Sequence, residues 1–214
     1  MWIKRSEVPI LLANIAYLAV FGGMSLARLN YEFIIYTLVI VVFLVLIAIG
    51  QRRVQFPPTV LWGLTLWGFL HMAGGHVPVG AGRLYDLVLV PLATRGDATI
   101  LRYDHVVHAL GFGVATLVCF HLLGPWLRER AGGRVVLSAL VLLMGMGLGA
   151  LNEVVELIVV LTAAESGVGG YFNTAFDLLF NFMGALAAVI YLNAAGRMPV
   201  GGPAATPEGR PEKP

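Results

Sequence analysis

Polar side chains that could do chemistry fall into three short groups within an otherwise apolar chain. The groups are Asp104, His105 and His108; Asn152, Glu153 and Glu156; and Asp177 and Asn181. Within each group, acidic, amide or imidazole side chains recur three or four residues apart, a spacing that places them on one face of an α-helix. Carboxylates and imidazoles together can bind a divalent metal ion or transfer protons.

The overall composition places these groups in a membrane protein. Of the 214 residues, 58% are hydrophobic and only 12% are charged, whereas soluble globular domains carry about 25% charged residues. So little charge excludes a water-soluble domain and an intrinsically disordered chain. The net charge of +2 also argues against nucleic-acid binding. We therefore predict an all-α, polytopic membrane helical bundle whose immediate partners are membrane lipids.

Six segments are long and apolar enough to be transmembrane helices, because about 20 helical residues cross a bilayer core. The predicted spans are Pro9–Leu26, Glu32–Gly50, Pro58–Ala73, Asp104–Leu123, Val135–Ala163 and Tyr171–Ala195. Gly74 and Gly75 are expected to break the chain after the third span. These spans predict a six-helix transmembrane domain over residues 1–195, followed by a disordered cytoplasmic tail over residues 196–214, which is rich in Pro and Gly.

Lysines and arginines are distributed unevenly between the loops, and this bias predicts the orientation. With the N-terminus inside, the cytoplasmic side carries Lys4, Arg5, Arg52, Arg53, Arg128, Arg130, Arg134, Arg197, Arg210 and Lys213. The opposite side carries only Arg28, Arg83, Arg95 and Arg102. Both termini are therefore predicted to be cytoplasmic. The long outer loop, Gly74–Tyr103, contains the stretch Arg83–Ala93, which could be a short interfacial helix or a re-entrant segment.

Four acidic residues belong to the predicted helices, while all fourteen basic residues lie outside the spans. The four are Asp104, Glu153, Glu156 and Asp177. A carboxylate at bilayer depth costs at least a few kcal/mol unless it is paired, protonated or bound to a cation. With a rise of about 1.5 Å per residue, the topology brings these acids to the same outer half of the membrane. The sequence thus predicts one polar pocket that opens to the outer leaflet.

Four motifs in this order resemble a family of uncharacterised bacterial inner-membrane proteins, the YjdF-type family. They are HMAGG, YDHVVH, NEVVE and FDLLFNFMGA, and the resemblance covers about residues 60–195. More distantly, the chain is similar to VanZ-like proteins, whose pattern would fall on Asp104, His108, Glu153, Glu156, Asp177, Asn181 and Gly184. The resemblance implies a multi-pass protein of the plasma membrane and brings no settled activity. The link of VanZ-like proteins to glycopeptide resistance is not carried over.

The first hypothesis is a metal-dependent membrane enzyme acting on a lipid or isoprenoid-type substrate near the outer leaflet. Its predicted ligands for a divalent metal are Asp104, His105, His108, Glu153, Glu156 and Asp177. The predicted catalytic residues are His108, Glu153 and Glu156, since a carboxylate that does not bind the metal could act as a general base. Contacts to substrate or support of the ligands are expected from His71, His76, Arg102, Tyr103, Asn152 and Asn181.

Two alternatives remain open at this point. Intramembrane acids and histidines are also the usual parts of proton relays, so a proton- or cation-coupled transporter of a small solute is the second hypothesis. The third is a non-catalytic polar cluster that holds spans four to six together through hydrogen bonds and protonated acids. Whether the protein is an enzyme, and which metal or small-molecule substrate it would take, is not determined by these residues.

Overall fold

The computed structural model of the chain is a bundle of six α-helices with a small β-rich loop at one end. It describes residues 4–90, 101–127, 133–162 and 169–198, together with the backbone of 94–95 and 98–99. The helices are α1 (Val8–Ala27), α2 (Tyr31–Val54), α3 (Pro58–His76), α4 (Tyr103–Leu127), α5 (Arg134–Thr162) and α6 (Tyr171–Ala194). Each predicted span corresponds to one helix, and the prediction of an all-α bundle is confirmed in this respect.

Local sequence explains where several helices begin and end. The Asn30 side chain accepts a hydrogen bond from the Phe33 backbone N–H at 3.2 Å and so caps the start of α2. Pro58 is the first residue of α3, where its missing N–H is not needed. Helix α2 ends at Gln55, whose left-handed φ of 53° stops the helical hydrogen-bond pattern.

Five of the six helices are long and apolar enough to cross a membrane. In the described part of the chain the candidate spans are Arg5–Ala27, which joins a 3₁₀ turn at Arg5–Glu7 to α1, Tyr31–Val54, Tyr103–Pro125, Arg134–Thr162 and Tyr171–Ala194. Large apolar side chains on α2 and α5 are exposed on the outside of the bundle, among them Leu38 and Leu143. Such a surface suits lipid, since soluble monomers rarely expose extended apolar patches. Helix α3 is not among these five candidate spans, because its glycine, tryptophan and histidine residues lower its mean hydropathy.

Helix α4 lies at the centre of the bundle and packs against α3, α5 and α6. Its contact with α6 is close enough to require glycine, because a Cβ atom on Gly184 would lie 2.0 Å from the Ala109 carbonyl oxygen. On α5, Gly145 and Gly149 face Thr116 and Asn181. This Gly-x-x-x-Gly pair therefore allows α5 to pack closely on α4 and α6 within the monomer.

Helix α3 differs from the prediction at its end. Gly74 and Gly75 were expected to break the chain, but α3 continues through them to His76. The pair is needed because aromatic rings pack directly on this backbone. A Cβ on Gly75 would lie 1.6 Å from the Phe33 ring, and one on Gly74 would lie 2.5 Å from the Tyr85 ring.

The loop after α3 is made of turns and short strands. Strands β1 (Pro78–Val79) and β2 (Gly82–Arg83) form an antiparallel hairpin, followed by a 3₁₀ turn at Leu84–Asp86. Strands β3 (Thr94–Arg95) and β4 (Ala98–Thr99) form a second hairpin. Beyond this single turn, a short interfacial helix is wrong for residues 87–90, because the backbone of Leu87, Leu89 and Val90 pairs with that of Leu101 and Tyr103 instead.

The two ends of the bundle differ in character. At one end, α4, α5 and α6 bring together the acidic and imidazole groups singled out above; we call it the cluster end. At the opposite end, Arg134 donates hydrogen bonds to Asn193, and Gln51 donates one to Glu7. Met198, the last described residue, is buried there, while the greater part of the predicted tail, residues 199–214, lies outside the described residues.

Candidate metal centre

His108 is the central residue of the polar cluster. Its ring is buried between α4, α5 and α6. Its Nε2 atom lies 3.6 Å from Asp104 Oδ1, 3.8 Å from Glu156 Oε1 and 3.9 Å from Asp177 Oδ1. Its Nδ1 atom lies 3.9 Å from Glu153 Oε1. Four carboxylates from three helices thus surround one imidazole.

Hydrogen bonds from amide side chains orient this cluster. Asn181 Oδ1 lies 3.0 Å from His108 Nδ1, so in this orientation of the amide Nδ1 carries the proton and donates it. The lone pair of the neutral ring is then on Nε2, the atom that faces three of the carboxylates. A metal-binding histidine usually has this arrangement, in which the second ring nitrogen donates to an oxygen.

The carboxylates are held in the same way, by amides on their own helices. Asn152 donates to Glu156 Oε1 at 2.7 Å, and Asn173 donates to Asp177 Oδ2 at 2.5 Å. Both pairs are four residues apart, so each amide reaches the acid on the next helical turn. In Glu156 and Asp177, one carboxylate oxygen is fixed in this way, and the other remains available to a ligand.

Several buried oxygens of the cluster have no hydrogen-bond partner among the described residues, although two of them lie 3.9 Å from the His108 ring. They are Glu153 Oε1, Glu153 Oε2 and Asp177 Oδ1, and the Asn181 Nδ2 group is also unpaired. Asp177 is fully buried, with 0% of its surface exposed. Within the described residues, no lysine or arginine forms a salt bridge with any of the four acids. Leaving such groups unpaired in a buried place is costly, so the cluster is incomplete without a cation or protons.

The separations between His108 Nε2 and the carboxylate oxygens are close to those between two ligands of one divalent ion, and the cluster would have to contract slightly to bind it. One oxygen each of Asp104 and Asp177 and one nitrogen of His108 lie within 4.8 Å of one another, and the same holds for His108, Glu153 and Glu156. Zinc binds nitrogen and oxygen at about 2.0–2.2 Å, which places two tetrahedral ligands about 3.4 Å apart. The observed separations of 3.6 to 3.9 Å from His108 Nε2 are slightly longer. The donor set of one imidazole and several carboxylates suits zinc, manganese or iron.

A cavity of about 100 Å³ gives access to the cluster. Asp104, His108 and Glu156 form part of its wall, together with His71 and Arg102. Its remaining walls come from α2, the loop between α3 and α4, and the start of α6, through Glu32, Tyr36, Tyr85, Asp86, Gly169 and Asn173. Glu153 and Asp177 are outside the set of lining residues, deeper in the bundle.

The wall contributed by α2 and the loop was missed in the sequence. Glu32 looked like a residue at the edge of a span, but it is buried and pairs with Arg83 at 3.1 Å. Glu32 and Tyr36 are four residues apart on α2, and this spacing was the available signal. Nothing in the sequence pointed to Tyr85, which reaches the cavity from a loop.

Tyr85 connects the loop to α3 through His71. Its hydroxyl donates to the His71 carbonyl oxygen at 2.7 Å and lies 2.6 Å from His71 Nδ1. Because this hydroxyl already donates to the carbonyl, Nδ1 is the donor in the second contact. Burial, with a contribution from the Asp104 charge, raises the pKa of Tyr85 well above its usual range. The phenol is therefore a neutral wall of the cavity.

Three other predicted site residues lie away from the cluster. His105 is one position along from Asp104 and points to another side of α4, where it stacks on Phe180 and accepts a hydrogen bond from the Arg102 backbone N–H. His76 uses both ring nitrogens, at 2.7 Å from Ser25 Oγ and from the Met72 carbonyl oxygen.

Tyr103 is also occupied elsewhere, since its hydroxyl donates to the Leu70 carbonyl oxygen at 3.0 Å. The structure therefore brings together Asp104, His108, Glu153, Glu156 and Asp177, with Asn152 and Asn181 in support. His71 and Arg102 reach the adjoining cavity, whereas His76, His105 and Tyr103 join helices or loops to one another.

Comparison with known proteins gives a family and no activity. No curated protein and no solved structure matches the chain. One family matches residues 9–197, nearly the whole helical bundle, and it is described as "Predicted membrane protein (DUF2238)". The predicted resemblance to an uncharacterised membrane family is thereby confirmed, while the relation to VanZ-like proteins stays a prediction. The chain belongs to this DUF2238 family of predicted membrane proteins.

Proposed function

We propose that this protein is a metal-dependent enzyme of the plasma membrane, with its site open to the outer leaflet. The observation that carries the proposal is the convergence of four acids on His108 with three buried carboxylate oxygens unpaired. A divalent cation would neutralise this charge and take the free oxygens as ligands. Structural cohesion alone would be served as well by amides and hydroxyls, without the cost of burying acids.

The proposed topology has six spans with both termini in the cytoplasm. Helix α3 is 19 residues long, which corresponds to about 28 Å at 1.5 Å per residue. That length is close to the thickness of a bilayer core, and α3 packs between α1 and α4. The excess of lysine and arginine at the end opposite the cluster supports a cytoplasmic location for that end.

Within the cluster we assign different roles to the acids. Asp104, His108 and Asp177 are the proposed metal ligands, because one atom from each lies within 4.8 Å of the other two and both acids lie near His108 Nε2. Glu156 is the proposed general base, since it lines the cavity and its Oε1 atom is held by Asn152. When bound, the metal would supply Lewis-acid activation of water or of a substrate oxygen. Glu153 adds negative charge on the other side of the His108 ring.

An enzyme accounts for the one-sided site better than a transporter does. Toward the opposite end, the space between α4, α5 and α6 is filled by an apolar cluster that includes Leu137, Val141, Val189 and Leu192. Thr116, the buried polar residue on α4 in this direction, bonds to its own helix at the Phe112 carbonyl. A transport path would need polar groups on both sides of the cluster.

The test is direct measurement of metal in purified protein. We expect one equivalent of a divalent metal by elemental analysis and saturable Mn²⁺ binding by titration calorimetry in nanodiscs. Asp104→Asn should weaken Mn²⁺ binding at least tenfold, because a ligand is lost, while Glu156→Gln should retain it. Glu7→Gln, at the opposite end of the bundle, is the matched control. Absence of saturable binding by the wild-type protein to Mn²⁺, Zn²⁺ and Fe²⁺ would refute the proposal.

A further inference from the structure

A second and larger cavity adjoins the metal centre. Its volume is about 320 Å³, and it lies between the start of α4 and the first turns of α6. Arg102, Gly169 and Asn173 line both this cavity and the smaller one that reaches Asp104 and His108. The two spaces therefore share part of their lining, and the larger one lies next to the cavity that reaches the cluster.

The shared lining carries a positive charge. Arg102 Nε is buried and has no hydrogen-bond partner among the described residues. The Arg102 backbone forms an isolated β-bridge with Val88 and donates its N–H to His105 Nδ1. These contacts fix the position of the backbone from which the guanidinium extends. In addition, the residue before α6 is Gly170, which has no side chain to cap the helix, and this leaves N–H groups of the first turn of α6 without a capping side-chain acceptor. This combination suits an anion.

The other side of the larger cavity is aromatic. It is formed by Tyr171, Phe172 and Phe176. Phe172 is 52% exposed and Tyr171 is 81% exposed, so the cavity opens to the surroundings of the bundle through apolar rings. A ligand that fills it needs an anionic group at one end and an apolar chain at the other.

We propose that the two cavities together bind an amphipathic phosphate ester, with the phosphoryl group between Arg102 and the metal centre. Phosphate has several oxygens in a tetrahedral arrangement, so one group can contact a guanidinium and a metal at the same time. Without a cation, the four acids would repel this anion, and for that reason the inference rests on the proposed metal site. The alkyl chain runs along Phe172 and Phe176.

The experiment measures binding of n-hexyl phosphate and inorganic phosphate to Mn²⁺-loaded protein in nanodiscs. We expect hexyl phosphate to bind at least tenfold more tightly than inorganic phosphate, because its chain covers the aromatic wall. Arg102→Gln should weaken hexyl phosphate at least tenfold and leave Mn²⁺ affinity unchanged. The control Arg28→Gln removes an exposed charge from the same end of the bundle and should change neither.

A second variant separates the chain from the head group. Phe172→Ala should weaken hexyl phosphate at least threefold and leave inorganic phosphate unchanged, and it tests the proposal even if Arg102→Gln does not fold. Equal binding of the two phosphates, or unchanged hexyl phosphate binding in Arg102→Gln, would overturn the inference. If the wild-type protein binds Mn²⁺ but no phosphate, this inference alone fails. If it binds neither, the proposed function fails with it.

Discussion

Replacing Asp177 by asparagine should stabilise the metal-free protein and reduce the further stabilisation that Mn²⁺ provides. Asp177 is fully buried, and one of its oxygens lies within 4.8 Å of ligand atoms of Asp104 and His108. Asparagine has the same shape, and its amide oxygen can still accept the hydrogen bond from Asn173. The substitution therefore removes a charge while leaving the packing and that hydrogen bond in place.

The size of the effect without metal follows from this distance. Two negative charges at most 4.8 Å apart repel by about 3.5 kcal/mol or more at an effective dielectric constant of about 20. The nearby His108 and proton uptake offset part of this repulsion, so the net effect on stability is smaller. We expect Asp177→Asn to stabilise the metal-free protein by about 1–3 kcal/mol. A change of this size raises Tm by about 2–4 °C per kcal/mol for a chain of this length.

Mn²⁺ should stabilise the variant less than it stabilises the wild type. At a Mn²⁺ concentration of 100 times its Kd, the wild-type protein gains about 2.7 kcal/mol. Loss of a ligand should weaken affinity by at least the 10- to 100-fold that loss of a supporting hydrogen bond costs. The gain of the variant then falls to between about 1.4 and 0.4 kcal/mol at the same Mn²⁺ concentration.

The assay is thermal unfolding in nanodiscs, followed by fluorescence of the four tryptophans, once in chelator and once in Mn²⁺. Glu7→Gln serves as the control for loss of an acid outside the cluster and should behave as the wild type. The reasoning is refuted if Asp177→Asn lowers Tm in chelator, or if Mn²⁺ raises the Tm of the variant as much as that of the wild type. A lowered Tm in chelator would indicate that the negative charge of Asp177 itself stabilises the metal-free cluster.

Further substitutions test the packing that positions the site. Gly184→Ala should destabilise the bundle by about 1–3 kcal/mol, because its Cβ would lie 2.0 Å from the Ala109 carbonyl oxygen. Gly147→Ala is the control and should be neutral in the same thermal assay, since a Cβ at Gly147 would have no atom within 4 Å. His76→Ala should cost about 1–3 kcal/mol through its lost contact with Ser25, and Mn²⁺ titration should give an unchanged affinity. A tenfold loss of Mn²⁺ affinity in His76→Ala would place this residue in the site after all.

The helices could be predicted closely from the sequence because apolar runs bounded by polar or breaking residues are a local signal. The predicted fourth span, Asp104–Leu123, corresponds to the helix Tyr103–Leu127, and the fifth differs by one residue at each end. The end of α3 was predicted wrongly at Gly74 and Gly75. A glycine pair can end a helix, or it can allow another side chain to pack against the helix backbone. Here the packing side chains come from α2 and from a loop, so the local sequence does not indicate which of the two applies.

Part of the candidate site could also be predicted from the sequence, and part could not. The cluster around His108 was predictable because Asp104, Glu153 and Glu156 are costly in a membrane helix and occur at helical spacing. His105 has the same side chain as His108 and is only three residues away, yet it stacks on Phe180. Which side of α4 faces α5 and α6 depends on how the helices pack, and the spacing of residues along α4 does not indicate this.

The sequence alone determined the class of protein, the helices and the acids that need a partner, because hydrophobicity and the cost of buried charge are properties of single residues and short segments. The tertiary structure decided which nitrogen of His108 faces the acids, which carboxylate oxygens remain unpaired and that Tyr85 and Glu32 complete the cavity. These facts depend on contacts between residues far apart in the chain. Such contacts arise only when glycines such as Gly184 allow the helices to pack closely.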